Sequence, residues 1–86
     1  MGFEELYDKY FARIYNYIRY RVIERDAADD LVSAVFEKVL DKYGSFDPER
    51  APLEPWLFAI ARNTLNDHFR RRKVRGWLSV TDRGRT

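Results

Sequence analysis

Apolar side chains recur along this chain at three- and four-residue steps in three separate runs, with charged and amide side chains filling the gaps. The first run holds Phe3, Leu6, Tyr7, Tyr10, Phe11, Ile14, Tyr15, Ile18 and Val22 with no Pro or internal Gly, and predicts an amphipathic helix over residues 3–23. The second holds Leu31, Val32, Val35, Phe36, Val39, Leu40 and Tyr43 and predicts a helix over residues 27–43. Asp26 stands at the expected N-cap and Gly44 at the expected stop. The third begins at Pro55, whose missing N–H suits a first helical turn, and carries Leu57, Ile60, Ala61, Leu65 and Phe69 on one face. Asn63, Asn66, Arg70 and Lys73 recur at the same steps on another face, so this segment leaves the core as a basic helix end.

Between the second and third runs lies GSFDPERAPLE, residues 44–54, with one Gly and two Pro. Such a stretch cannot continue a helix, and it is long for a connection in so small a protein. Its Phe46 packs back as a core plug or stacks on a ligand base; the residue pattern supports both. No alternating strand pattern, internal repeat or low-complexity tract is present. The expected fold class is all-α: three main helices around an aromatic-rich core, with a long loop between the second and third. The periodic pattern ends near Gly76, so residues 1–75 are expected to form the domain and residues 76–86 to begin a linker; Trp77 and Leu78 are candidates to fold back.

Composition narrows the setting. Eighty-six residues suffice for one small domain. The absence of Cys removes disulfides and thiolate metal sites and fits a reducing compartment. Neither a signal sequence nor a bilayer-length apolar run occurs, so a soluble, cytoplasmic protein without membrane insertion is expected. The net charge of +2 hides a strong polarity: residues 24–54 hold nine acids against four bases, and residues 62–86 hold eight bases against two acids. Net values of −5 in the middle and +6 at the end point to two different partners.

Catalysis finds little support. The lone histidine, His68, follows Asp67, but neighbours on a helix point apart and form no dyad; His68 reads as a structural or surface residue, with phosphate contact as the competing role. No nucleophile motif, metal-ligand spacing or Gly-rich phosphate loop appears, so neither an enzyme nor a cofactor or metal site is expected. The run Arg70, Arg71, Arg72, Lys73 complements the helix dipole, yet its combination with Asn63 and Asn66 also suits nucleic acid. Amides can read a base edge while cations hold phosphates. The acidic outer face of the second helix, with Asp29, Asp30, Ser33, Glu37 and Asp41, is either solvated or a dock for a basic protein helix.

Four motifs in one order carry a resemblance. RDAADDLVSAVFEKVL followed by SFDPERAPLEPWLFAIARNTLNDHFRRRK resembles region 2 of bacterial sigma-70 family factors of the extracytoplasmic-function (ECF) group, from about Tyr7 to Lys73. The resemblance implies a compact three-helix region 2 domain whose second helix docks on a coiled coil of the RNA polymerase β′ subunit. By position that surface falls on Asp29, Asp30, Leu31, Ser33, Ala34 and Glu37. It also implies that the loop and third helix recognise the promoter minus-ten element as melted non-template strand with a flipped base. Phe46 and Asn63 match the base pocket, Arg62, Asn66, Arg70 and Lys73 its flanks and strand path, and Arg71 belongs to the accompanying basic run.

Two departures qualify the match. The family usually places Gln-Glu where this chain has Ser33-Ala34, which shortens or removes two polar contacts to polymerase. Such factors also normally carry a C-terminal helix-turn-helix domain for the minus-thirty-five element, which these residues do not encode. An anti-sigma factor is a further implied partner. The competing reading is a helical protein-interaction module, an anti-sigma target that does not recognise promoters.

Overall fold

The computed structural model describes the backbone of residues 1–85 and the side chains of residues 1–73. It contains three helices, α1 (Phe3–Arg21), α2 (Arg25–Tyr43) and α3 (Leu53–Arg85), and no strand among the described residues. The all-α expectation is met, with the boundaries of α1 and α2 shifted by a few residues and α3 extended well past its expected end. In α1 the chain leaves the helix at Val22, which is extended, two residues earlier than the pattern suggests. Val22 stays buried nonetheless, so apolar periodicity persisted past the last helical turn.

Asp26 is not the N-cap of α2. Glu24 occupies that position, in an extended conformation and without a side-chain cap bond, and Asp26 lies inside the first turn. There its charge still favours the positive end of the helix dipole. At the other end Gly44 does cap α2, but in a right-handed conformation, so no left-handed glycine is needed. The turn that follows is built by Asp47 and Pro48: the Asp47 carbonyl accepts from Arg50 N–H at 3.1 Å, and its Oδ1 accepts from Glu49 N–H at 2.9 Å. Asp ahead of Pro is a favoured opening for such a turn, because the carboxylate mimics a backbone acceptor and Pro presets φ.

Helix α3 starts at Leu53, which leaves Pro55 within its first turn as expected. It does not stop at Gly76, and the helical backbone continues to Arg85. A single Gly costs a helix only about 1 kcal/mol relative to Ala, and no Pro follows to break it. The expected fold-back of Trp77 and Leu78 lies outside the described side chains.

The core draws one row from each helix. Leu6, Tyr10, Ile14 and Ile18 of α1 meet Ala28, Leu31, Val32, Val35, Phe36 and Val39 of α2, and Leu57, Ile60, Ala61 and Leu65 of α3 close the third side. Helix α2 packs on both partners, while α1 and α3 meet more lightly. The second aromatic row of α1 is not core. Tyr7 is 39% and Phe11 36% exposed; with Phe3 and Tyr15 they form a ladder whose successive ring centroids stand 5.2–6.2 Å apart. Phe36 of α2 touches this ladder at Tyr7 and Phe11, 4.8 and 6.0 Å away. Three helices offer too little facing surface to cover two rows of α1, so the second shields the edge of the core. Leu40, at 58% exposure, falls outside the core for the same reason.

Polar contacts pin the light α1–α3 seam. Glu54 accepts from Arg13 Nη1 at 2.8 Å and from the Tyr10 hydroxyl at 3.1 Å. The hydrogen bond from Arg13, then that from Tyr10, hold the Glu54 carboxyl below its ordinary range. Burial and the bond to Glu54 push the Tyr10 phenol up.

Ile14→Ala or Leu57→Ala, each truncating a fully buried side chain, is expected to cost about 2–5 kcal/mol in denaturant unfolding. The lowered pKa of Glu54 gives stability that is present above about pH 4.3, the unfolded carboxylate value, and is lost as pH falls through the lower folded value. Glu54→Gln should therefore unfold more readily than the parent near neutrality and lose that deficit in strong acid; thermal melts across pH 2–7 measure it.

Candidate functional site

Rotation of α3 about its own axis decides what it displays. At about 100° per residue, Leu57, Ile60, Ala61, Thr64 and Leu65 share one side, and Arg62, Asn63, Asn66, Arg70 and Lys73 fall opposite. The burial pattern agrees: the first set is buried and the second is exposed. Thr64, a polar residue in the buried stripe, is satisfied twice, donating to the Ile60 carbonyl at 2.8 Å and accepting from Lys38 Nζ at 3.1 Å. Phe69, expected on the greasy face, is 43% exposed because it lies beyond the end of the three-helix core.

The exposed face of α3 thus brings together five of the seven residues expected to bind DNA. Arg62 and Lys73 form no ion pair among the described residues, whereas Arg70 lies 2.6 Å from Asp67, one turn back. That pair is exposed and, like other helix-surface pairs, worth only a few tenths of a kcal/mol, so it does not withhold Arg70 from a phosphate. The face offers two amides and three cations over about three turns.

Phe46 is placed by the loop. Its ring lies 4.6 Å from Trp56 and stacks at 9° on Tyr43, so it is half-buried between α2 and the first turn of α3. Trp56, Ala59 and Asn63 follow one another at three- and four-residue steps along α3. Asn63 stands about 10 Å beyond Trp56 along the helix axis, and small Ala59 lies between them. Phe46 and Asn63 thus flank one stretch of α3 without forming a closed pocket. The Phe46 ring rests on Tyr43 and Trp56 at the margin of the core.

Arg71 departs from Arg70 and Lys73. It projects into the groove between α2 and α3, which is also lined by Glu24, Leu31, Ala34, Lys38 and Arg72. Arg72 straps the two helices by pairing with Glu24 at 3.1 Å. His68 lines the same groove, and its buried Nε2 has no hydrogen-bond partner. Leaving such an atom unpaired costs about 1–3 kcal/mol. Nothing in the residue pattern marks this groove beyond the His68 phosphate alternative, because Lys38 and Arg71 come together only through helix packing.

On α2, Asp29, Asp30, Ser33 and Glu37 are exposed and Ala34 is half-buried. Leu31 is the exception: at 8% exposure it belongs to the core and reaches the outside only at the groove floor. Among the described residues no side chains cluster to hold a metal, and no helix is long and apolar enough to cross a membrane.

A three-helix domain with an acidic helix, an aromatic loop and an amide-and-cation helix face has the layout of a sigma-factor domain, and comparison bears on this directly. The sigma-70 region 2 family matches residues 6–75, and the chain belongs to that family. Among its relatives are ECF RNA polymerase sigma factors. It is 40% identical over 80 residues to the ECF RNA polymerase sigma factor BldN of Streptomyces coelicolor, covering 93% of this chain and 30% of BldN. It is 34% identical over 72 residues to the ECF RNA polymerase sigma factor SigX of Bacillus subtilis, covering 84% of this chain and 37% of SigX. SigM of the same organism is 29% identical over 73 residues, covering 85% and 44%. The chain spans less than half the length of these relatives. No solved structure matches it.

Phe46→Ala should strip the cover from Trp56 and Tyr43, costing about 1–3 kcal/mol of stability, the upper end being full aliphatic or aromatic side-chain burial. Its signature is a red shift of tryptophan emission in the folded protein. An unchanged spectrum and melting point would show that the ring does not rest on Trp56.

Proposed function

We propose that this chain is the part of an ECF sigma factor that docks on RNA polymerase core in the cytoplasm and recognises the promoter minus-ten element during initiation. The observation that carries the DNA half of the reading is the alignment of Arg62, Asn63, Asn66, Arg70 and Lys73 on the side of α3 turned away from the core. Cations at this spacing can follow a sugar-phosphate backbone, while Asn63 and Asn66 hold both donors and acceptors toward bases. The short stretch of α3 over Ala59, between the Phe46–Trp56 stack and Asn63, offers an apolar wall and an amide to an unstacked base. Unstacking costs a few kcal/mol, and stacking with edge hydrogen bonds offsets it.

The protein half rests on α2. Asp29, Asp30, Ser33 and Glu37 form an exposed, mostly acidic face on the helix that resembles the polymerase-docking helix of the family. In this reading it meets the β′ coiled coil, and an anti-sigma factor would act by covering the same face. Ser33 and Ala34 reach less far than Gln and Glu, so the docking energy comes from Asp29, Asp30 and Glu37 together with shape. Charge separation keeps the two partners apart: an acidic α2 repels the strand that α3 attracts.

Fluorescence anisotropy with non-template minus-ten oligonucleotides, each position varied in turn, tests the reading. Single strand is expected to bind more tightly than duplex. Asn63→Ala should flatten the preference at one position, where a good amide contact gives about 1–3 kcal/mol of discrimination. Arg62→Ala and Lys73→Ala should weaken all sequences alike and each lower the salt slope by roughly 0.7. Equal affinity for promoter-like and scrambled strands at matched salt would reject sequence recognition and leave a protein-interaction module.

A further inference from the structure

The groove between α2 and α3, about 540 Å³ in volume, has an excess of cationic side chains in its lining. Lys38 and Arg71 line it, and neither forms an ion pair among the described residues. His68 also lines the groove, and its Nε2 is buried without a hydrogen-bond partner. The acids at its margin are two, Glu24 beside Arg72 and Asp67 beside Arg70, against three lining cations, Lys38, Arg71 and Arg72. Ala34 leaves the floor open where a longer side chain would fill it. A group that satisfies this arrangement is an anion that accepts from several N–H donors at once.

The rim decides which anion. On the surface of α2, the neighbours of Ala34 at three-, four- and seven-residue steps are Asp30, Glu37 and Asp41, all exposed and acidic. A nucleic-acid backbone lying along the groove would bring further phosphates against this rim. A protein helix can instead place one carboxylate in the groove and set its own basic side chains against the acids beside it. Ser33 and Ala34, both small, let its backbone come close.

We propose that the groove receives an Asp or Glu side chain from a helix of the protein that docks on α2, and that Arg71 therefore serves protein docking while Arg70 and Lys73 serve DNA. This rests on the reading of α2 as the polymerase-docking face. The incoming carboxylate accepts from the Arg71 guanidinium and Lys38 Nζ. Adjacent arginines on one helix point about 100° apart, so one basic run supplies two partners.

Binding of the full chain to core RNA polymerase and to a single-stranded minus-ten oligonucleotide, measured side by side, tests the assignment. Arg71→Gln and Lys38→Gln are each expected to weaken core binding about tenfold, as loss of one partner from a close charged contact does, with oligonucleotide affinity held within about twofold. Arg70→Gln should do the reverse. Unchanged thermal melts establish that each variant folds; should Lys38→Gln unfold through its bond to Thr64, the Arg71 variant decides alone, since Arg71 is exposed. If the parent chain fails to bind core, the docking reading and the groove assignment fall together. If Asp30→Lys abolishes core binding while Arg71→Gln leaves it intact, the docking reading stands and the groove assignment is overturned. If Arg71→Gln weakens the oligonucleotide as much as Arg70→Gln does and spares core, the groove holds a backbone phosphate and the proposal is wrong.

Discussion

Burial of one narrow stripe of α3, Leu57, Ile60, Ala61 and Leu65, is the constraint on which the rest of this structure depends. An α-helix has a single rotational setting that hides a given stripe, and its choice fixes the direction of every other side chain. Once these four face α1 and α2, Asn63 and Asn66 cannot avoid solvent. The cations beyond them are sorted by the same rotation, with Arg70 and Lys73 turned outward and Arg71 and Arg72 turned toward α2. A helix slipped by one residue would rotate every one of these directions by about 100° and scramble both surfaces.

The polar contacts around that stripe hold the setting. Lys38 reaches across to Thr64, Arg72 to Glu24, and Arg13 with Tyr10 to Glu54, so α3 is tied at three points between residues 54 and 72. The salt bridges are solvent-exposed and each contributes little to stability. Their effect is on register, because each is satisfied at one rotation and one translation of α3. Apolar packing of small and branched side chains tolerates sliding better than a hydrogen bond does, and the two kinds of contact act on different degrees of freedom.

The α1 ladder shows the limit of a core this small. A three-helix protein of 86 residues has little interior, and a helix with two aromatic rows can hide one of them. The row of Leu6, Tyr10, Ile14 and Ile18 is hidden; the row of Phe3, Tyr7, Phe11 and Tyr15 shares its rings with Phe36 and with one another. Offset ring contacts of this kind recover part of the energy that full burial would give. Loop 44–52 solves a similar problem with Phe46, which covers Trp56 and Tyr43 at the C-terminal end of α2.

Much of this was legible in the chain itself. Periodicity alone determined three helices, the side of each that turns inward, the loop between α2 and α3, and the separation of an acidic from a basic segment, because these are local properties that a 3.6-residue repeat and a Pro-rich stretch express directly. The outward set of Arg62, Asn63, Asn66, Arg70 and Lys73 follows from the same repeat. Helix ends were less legible: Asp26 looked like a cap and Gly76 like a stop, yet packing and the low cost of one Gly outweighed both signals. What only the tertiary structure decided is which apolar rows find a partner and which distant residues meet. Leu40 and Phe11 are as apolar as their buried neighbours, and Lys38, His68 and Arg71 carry no mark of belonging together. Their proximity arises from the way α2 lies on α3, a relation between segments about thirty residues apart that no local pattern encodes.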